Sequence, residues 1–242
     1  MITKFKNALT KLYTEDKYLI DAFVNERSIT HKLGCYLQEE YDTYNVDCEY
    51  NRNILDPKSI TKKIYMDLTE SKNILPDIIV HERGTNDRNH LIVECKKNNN
   101  RDYDQDREKL KYYTISRNDN LGYDYGIFLV LSRGINSKKL DGSITIYQDS
   151  VPKEKYYYYW RNNQIELEKV KLPKYKMIQD SIKDKIDKTV KTCWIADVKE
   201  QLGLPIRIAN NRIDVDKRTN PCPREYKEFI VKEYKNYGCL ED

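Results

Sequence analysis

The sequence predicts a mixed α/β protein: a central sheet flanked by helices, extended by further strands and followed by a small all-helical C-terminal segment. Three observations carry this. Helical periodicity over the first forty residues gives way to aliphatic runs at 78–80, 91–93 and 126–131, with a helical stretch between the last two. Alternating segments at 143–148, 155–160 and 164–170 then add strands. Beyond Pro173 only helical spacing remains, so the chain divides into residues 1–172 and 173–242.

Phe5, Leu9 and Leu12 or Tyr13 share one stripe over 2–13, which predicts a helix. A second covers 28–41, with Ser28 as its expected N-cap and Ile29, Leu33, Tyr36, Leu37 and Tyr41 at helical spacing. Tyr44, Val46, Cys48 and Tyr50 alternate as one face of a strand, whereas 51–73 reads as polar loop. Pro76-Asp77 leads into the strand Ile78-Ile79-Val80, and Leu91-Ile92-Val93 leads into Glu94-Cys95-Lys96. The residues between, Glu82 to Asp87, suit a hairpin connection. A helix is expected over 102–117, with Leu110, Tyr113 and Ile115 inward, then the strand ending in Leu131. Asn162-Asn163 suits the turn of a last hairpin. In the C-terminal segment Met177 or Ile178, Ile182, Ile186 and Val190 form one stripe. A helix from Thr192 to Leu202 stops at Gly203, another is expected over 206–213, and Pro223 opens the last, 223–236.

Composition narrows the function classes. The 242 residues carry 43 Lys and Arg against 39 Asp and Glu, a net charge of +4, which excludes a generally basic, histone-like chain but allows a local basic patch. The six cysteines form no CxxC pair, so buried reduced thiols are expected rather than a disulfide framework or zinc site. No apolar run reaches the length of a membrane span, and the first ten residues lack the apolar core of a secretory signal. A cytoplasmic protein without a membrane partner is expected.

The chemistry concentrates in Asp77 and Glu94-Cys95-Lys96. If the two aliphatic strands pair as a hairpin, both carboxylates reach the same end of the sheet. Glu94 and Lys96 lie two residues apart, so they share a strand face, and Cys95 points to the opposite, core side. Two carboxylates and an ammonium at one place suit a hard divalent cation and a phosphate.

These residues resemble the PD-(D/E)XK superfamily of restriction-endonuclease-like nucleases. The matching positions are Pro76-Asp77 and Glu94-Cys95-Lys96, in the order helix, strand, PD strand, ExK strand, helix, strand, over residues 20–135. The resemblance implies a restriction endonuclease-like core and a metal-dependent DNA nuclease. Asp77, Glu94 and the Cys95 carbonyl would hold Mg²⁺, with Mn²⁺ a possible substitute, and Lys96 would position or activate the attacking water. It implies a further carboxylate from the first helix region, for which Glu26 in Asn25-Glu26-Arg27-Ser28 comes first and Glu39 or Glu40 second. Gln105 and Lys109 are available on the helix after the ExK strand. A restriction, defence or mobile-element setting, and cleavage as a homodimer, are further implications; RNA remains open as a substrate. The alternative class is a non-catalytic DNA-binding or interaction protein on a nuclease-derived scaffold.

Residues 192–213 read as a helix-turn-helix, with Val198, Leu202, Ala209 and Ile213 inward and Gly203 at the turn. Arg207, Asn210, Asn211, Arg212 and Arg218 would then face DNA, arginine suiting phosphate or guanine and asparagine suiting adenine. Five Lys and Arg against two Asp between 207 and 224 supply three of the four net charges. The bland alternative is a helical cap or docking unit. Tyr156 to Trp160 could stack on bases, but a strand with one face on the core explains the same pattern. His31, His81 and His90 show no metal-ligand spacing.

Overall fold

The aliphatic runs form the middle of a seven-stranded sheet in a computed structural model that describes residues 1–50, 52–53, 56–57, 75–98, 103–115, 122–131, 142–206 and 220–240. Its helices are α1 (Ile2–Glu15), α2 (Lys17–Asp21), α3 (Glu26–Glu40), α4 (Asp104–Tyr113), α5 (Tyr175–Ile186), α6 (Thr192–Gln201) and α7 (Arg224–Asn236). The sheet takes the order β1 (Asn45–Cys48), β4 (Ile78–His81), β5 (Leu91–Lys97), β6 (Tyr125–Leu131), β7 (Gly142–Gln148), β8 (Val151–Arg161), β9 (Gln164–Lys169). A separate two-residue ribbon pairs β2 (Arg52–Asn53) with β3 (Asp56–Pro57). The fold is therefore mixed α/β. Within the seven-stranded sheet β5 and β6 run parallel, joined through α4, and the other neighbours are antiparallel.

Period-two alternation sends successive side chains to opposite faces. Ile78, Val80, Leu91, Val93 and Cys95 enter one core with Phe5, Leu9 and Leu12 of α1 and Ile29, Leu33 and Leu37 of α3. Ile79, Ile92, Phe128 and Val130 enter a second core with Leu110, Tyr112 and Tyr113 of α4. The central strands are thus buried on both faces, which is why they read as unbroken apolar runs. Truncating a fully buried side chain such as Leu33 to Ala would cost about 2–5 kcal/mol.

The first helices differ from the sequence reading in two respects. The N-cap of α3 is Asn25, whose side chain accepts from the Ser28 N–H at 2.8 Å, so Ser28 is the capped residue and Glu26 is the first helical one. The short α2 has no counterpart in the sequence pattern. In β1 the alternation holds through Val46 and Cys48, but Glu49 adopts φ +49°, and Tyr50 packs on the second core instead of the first.

The tyrosine-rich strand is buried on both sides rather than one. Tyr156, Tyr158 and Trp160 face the first core, whereas Tyr157 is buried on the opposite face. The Tyr158 hydroxyl donates to the Val130 carbonyl at 3.2 Å and lies 3.0 Å from the Tyr13 hydroxyl. Its cross-strand partner is Gly142, where a Cβ would fall 2.2 Å from the Val130 oxygen and 2.5 Å from the Tyr158 hydroxyl. Only glycine fits there.

The C-terminal helices bury their own cluster, including Ile178, Ile182, Val190, Ile195, Val198, Ile230 and Tyr234. Ile178, not the 44% exposed Met177, begins the α5 stripe, and Val190 joins the cluster from beyond the helix end. The segment rests on the sheet domain through the Ile206 N–H to Pro152 carbonyl bond (2.9 Å) and through Arg107 of α4, which packs where Gly203 lacks a side chain. Gly203 itself takes φ +65° after α6, as the sequence predicts. The second helix of the expected helix-turn-helix, with Arg207, Asn210, Asn211, Arg212 and Arg218, lies outside the described residues. Among the described residues no helix is long and apolar enough to cross a membrane.

Candidate functional site

The antiparallel register Ile78↔Val93 places Asp77 opposite Glu94 one step further along. Asp77 is anchored there by the Cys95 backbone N–H, which donates to its Oδ2 at 2.7 Å. Because Leu91, Val93 and Cys95 face α1 and α3, Glu94 and Lys96 face α4. That helix presents Asp106, Lys109, Leu110 and Tyr113 at helical spacing toward the sheet. Leu110 and Tyr113 fill the second core, while Asp106 and Lys109 meet the end of β5.

The result is a network of six charged side chains from four elements. Lys96 Nζ lies 3.2 Å from Asp106 Oδ2 and 3.8 Å from Glu26 Oε2. Lys109 Nζ lies 2.7 Å from Asp106 Oδ1 and 3.6 Å from Glu94 Oε2. Glu26, in the first turn of α3, also accepts from the Lys97 N–H at 3.2 Å. Lys97 in turn donates its ammonium to the Phe23 carbonyl at 2.9 Å, fixing the turn before α3. Four carboxylates stand against two ammoniums, so two negative charges are uncompensated when all six groups are ionised.

Burial dominates the protonation of the carboxylate pair. It pushes the Asp77 carboxyl up to about 6, against the Cys95 N–H and Lys96, which favour the charged form. Glu94, only 1% exposed, is pushed well above the ordinary carboxylate range by burial first and by the Asp77 charge second. For the ammoniums, burial acts downward, yet the surrounding carboxylates win. Asp106, Glu26 and Asp77 hold Lys96 above its ordinary value, and Glu94, Asp106 and Asp77 do the same for Lys109.

The structure therefore brings together Asp77, Glu94, Lys96 and Glu26, the four residues expected to act together. It adds Lys109 and Asp106. Lys109 is available in the sequence without a matched role. Asp106 escapes the sequence reading, although its acidic position in the first turn of α4, three residues before Lys109, is a usable signal. Gln105 is on the exposed side of α4. Glu39 and Glu40 point away from the site, Glu39 pairing with Lys11 and Glu40 accepting from Asn7. Cys95 is buried in the first core, as its position between the two site residues predicts. His81 and His90 sit at the opposite ends of β4 and β5, beside Asp47 at 2.9 Å and Asp124 at 3.0 Å.

Whether these residues fit a divalent cation turns on their donor atoms. Among the described residues no group of three or more His, Cys, Asp or Glu side chains is gathered as a metal cluster. Asp77 and Glu94 form a pair, interleaved with lysines, and Mg²⁺ needs no more than one or two carboxylates because it keeps several waters. Among the described residues, buried Glu94 Oε1 meets no hydrogen-bond partner, a costly arrangement for an oxygen unless a cation engages it. The donor set fits a hard divalent ion. In comparison with known proteins, no family model, no curated protein and no solved structure matches this chain.

Proposed function

We propose that the chain is a divalent-metal-dependent nuclease hydrolysing phosphodiester bonds in DNA, on a restriction endonuclease-like PD-(D/E)XK core. The observation that carries this is the meeting of Asp77, Glu94 and Lys96 at one end of the β4–β5 hairpin, with an orphaned Glu94 oxygen among them. The succession α3, β1, β4, β5, α4, β6, with β6 parallel to β5, is the order on which the resemblance rests and supports the same reading.

Asp77, Glu94 and the Cys95 carbonyl would hold the ion. When bound, Mg²⁺ or Mn²⁺ supplies Lewis-acid polarisation of the phosphate and a more acidic water. The protein's own residues do the rest. Asp77 is oriented by the Cys95 N–H, and Glu94 is kept rigid by full burial. Lys96, one-fifth exposed, presents an ammonium to the developing negative charge on the phosphate or nucleophile. Glu26 faces Lys96 from α3 and limits where that ammonium can stand. DNA would be gripped by the C-terminal segment through Arg207, Asn210, Asn211, Arg212 and Arg218, a helix-turn-helix reading that belongs to this proposal.

The test is incubation of the full chain with plasmid and Mg²⁺ or Mn²⁺, beside Asp77→Ala and Lys96→Ala. Cleavage by wild type alone supports the assignment. Equal cleavage by all three, or none under any metal, removes the assignment, and none under any metal leaves the non-catalytic DNA-binding scaffold. An Arg207→Ala/Arg212→Ala/Arg218→Ala chain tests the grip: for three phosphate contacts, the slope of log affinity against log salt flattens by about 2–3.

A further inference from the structure

We infer that Asp106 is a positioning residue that keeps Lys109 from closing on Glu94, so that the carboxylate pair stays open to a divalent cation. The inference rests on the metal-dependent reading of the site.

Asp106 is 4% exposed, and a buried carboxylate keeps its charge only when paired. It is paired twice, dividing its oxygens: Oδ1 takes Lys109 at 2.7 Å and Oδ2 takes Lys96 at 3.2 Å. The distances order the competition. Lys109 is within hydrogen-bonding reach of Asp106 but stands 3.6 Å from Glu94 Oε2, too far for a good bond. Glu94 Oε1 has no hydrogen-bond partner among the described residues.

The backbone explains why Asp106 can do this. Asp106 and Lys109 are three residues apart on α4, so their side chains meet without strain. The helix lies over the β5 face that carries Glu94 and Lys96. Take the Asp106 charge away and two half-buried ammoniums lose their common anion. The nearest remaining carboxylate oxygen for Lys109 is that of Glu94, and for Lys96 that of Glu26. An ammonium bonded to Glu94 competes directly with a cation for the same oxygens.

Mn²⁺ binding to the full-length chain, followed by the electron paramagnetic resonance of free Mn²⁺, reads this out without DNA. Asp106→Asn keeps the shape and removes the charge, and should weaken Mn²⁺ binding by about 10- to 100-fold, the usual cost of losing a residue that orients a metal ligand. Asp106→Asn/Lys109→Met removes the competing ammonium as well and should recover most of that loss. A carboxylate that merely supports the fold would leave the double variant as weak as the single one. Wild-type affinity in Asp106→Asn, or no recovery in the double variant, overturns the inference. Should Asp106→Asn not fold, Lys109→Met alone decides: it should bind Mn²⁺ at least as tightly as wild type, and weaker binding overturns the inference. If the binding pattern holds but wild type cuts no DNA, the nuclease reading fails and the role of Asp106 stands. If wild type cuts DNA and Asp106→Asn binds Mn²⁺ normally, the reverse is true. A wild-type chain that binds no Mn²⁺ overturns both.

Discussion

Replacing Asp77 by asparagine should stabilise the metal-free protein at neutral pH while abolishing cleavage. Burial lifts the Asp77 carboxyl from 3.8 to about 6. At Asp77, between those two values, the folded chain retains a proton that the unfolded chain has released, so this residue's contribution to wild-type stability falls as pH rises through that window and levels off above it, while the raised Glu94 acts on wild type and variant alike. At 1.36 kcal/mol per pH unit, the fall amounts to about 3 kcal/mol. An amide in place of the carboxyl cannot ionise, and its oxygen can still accept from the Cys95 N–H. Asp77→Asn should therefore lack this fall and exceed wild type by up to about 3 kcal/mol at about pH 7.5, with the gap narrowing to about 1 kcal/mol by about pH 4.5. Urea unfolding in EDTA across this pH range measures it, and added Mg²⁺ should raise wild type but not the variant. A stability difference independent of pH, or a variant less stable than wild type at the upper end of the range, would refute the reasoning.

Three other outcomes are expected. Asn25→Ala removes the α3 cap and should cost about 1 kcal/mol, lowering Tm by about 2–4 °C, while Ser28→Ala changes stability by under about 0.5 kcal/mol; thermal melts of the two separate the observed cap from the expected one. Gly142→Ala drives a methyl into the Val130 carbonyl, whose backbone cannot yield, and should cost about 3 kcal/mol or more, read as a large loss of Tm or of soluble protein. Because protons on Asp77, and on Glu94, which burial keeps protonated to higher pH, compete with the cation, Mn²⁺ affinity should fall by at least about tenfold per pH unit below about 6; a flat profile from about pH 7 to 5 would contradict the ligand role of the pair.

The chemistry was legible where strand geometry alone decides it. Glu94 and Lys96 share a face because they are two residues apart, Cys95 goes to the core for the same reason, and the hairpin brings Asp77 opposite Glu94. Asp106 was not legible. In a chain that is 34% charged, an aspartate in a helix first turn looks solvated, and only the packing of α4 on β5 turns it inward. Ser28 and Asn25 are both good cap formers at the two ends of one hydrogen bond, and residue type alone does not say which end is the cap. Tyr50 departs from its face because Glu49 takes a left-handed conformation that no alternation pattern reveals. The tyrosines of β8 gave no sign of being buried on both sides, since a polar hydroxyl on each ring makes the strand read as half exposed.

The most direct test of hydrolysis at this site is the isotopic content of the cut ends when the wild-type chain acts on a defined DNA duplex in ¹⁸O-labelled water with Mg²⁺. The expected result is a single labelled oxygen in each terminal phosphate formed, and no product from Glu94→Gln. Uncut DNA, cut ends without label, or equal cutting by Glu94→Gln would contradict the assignment.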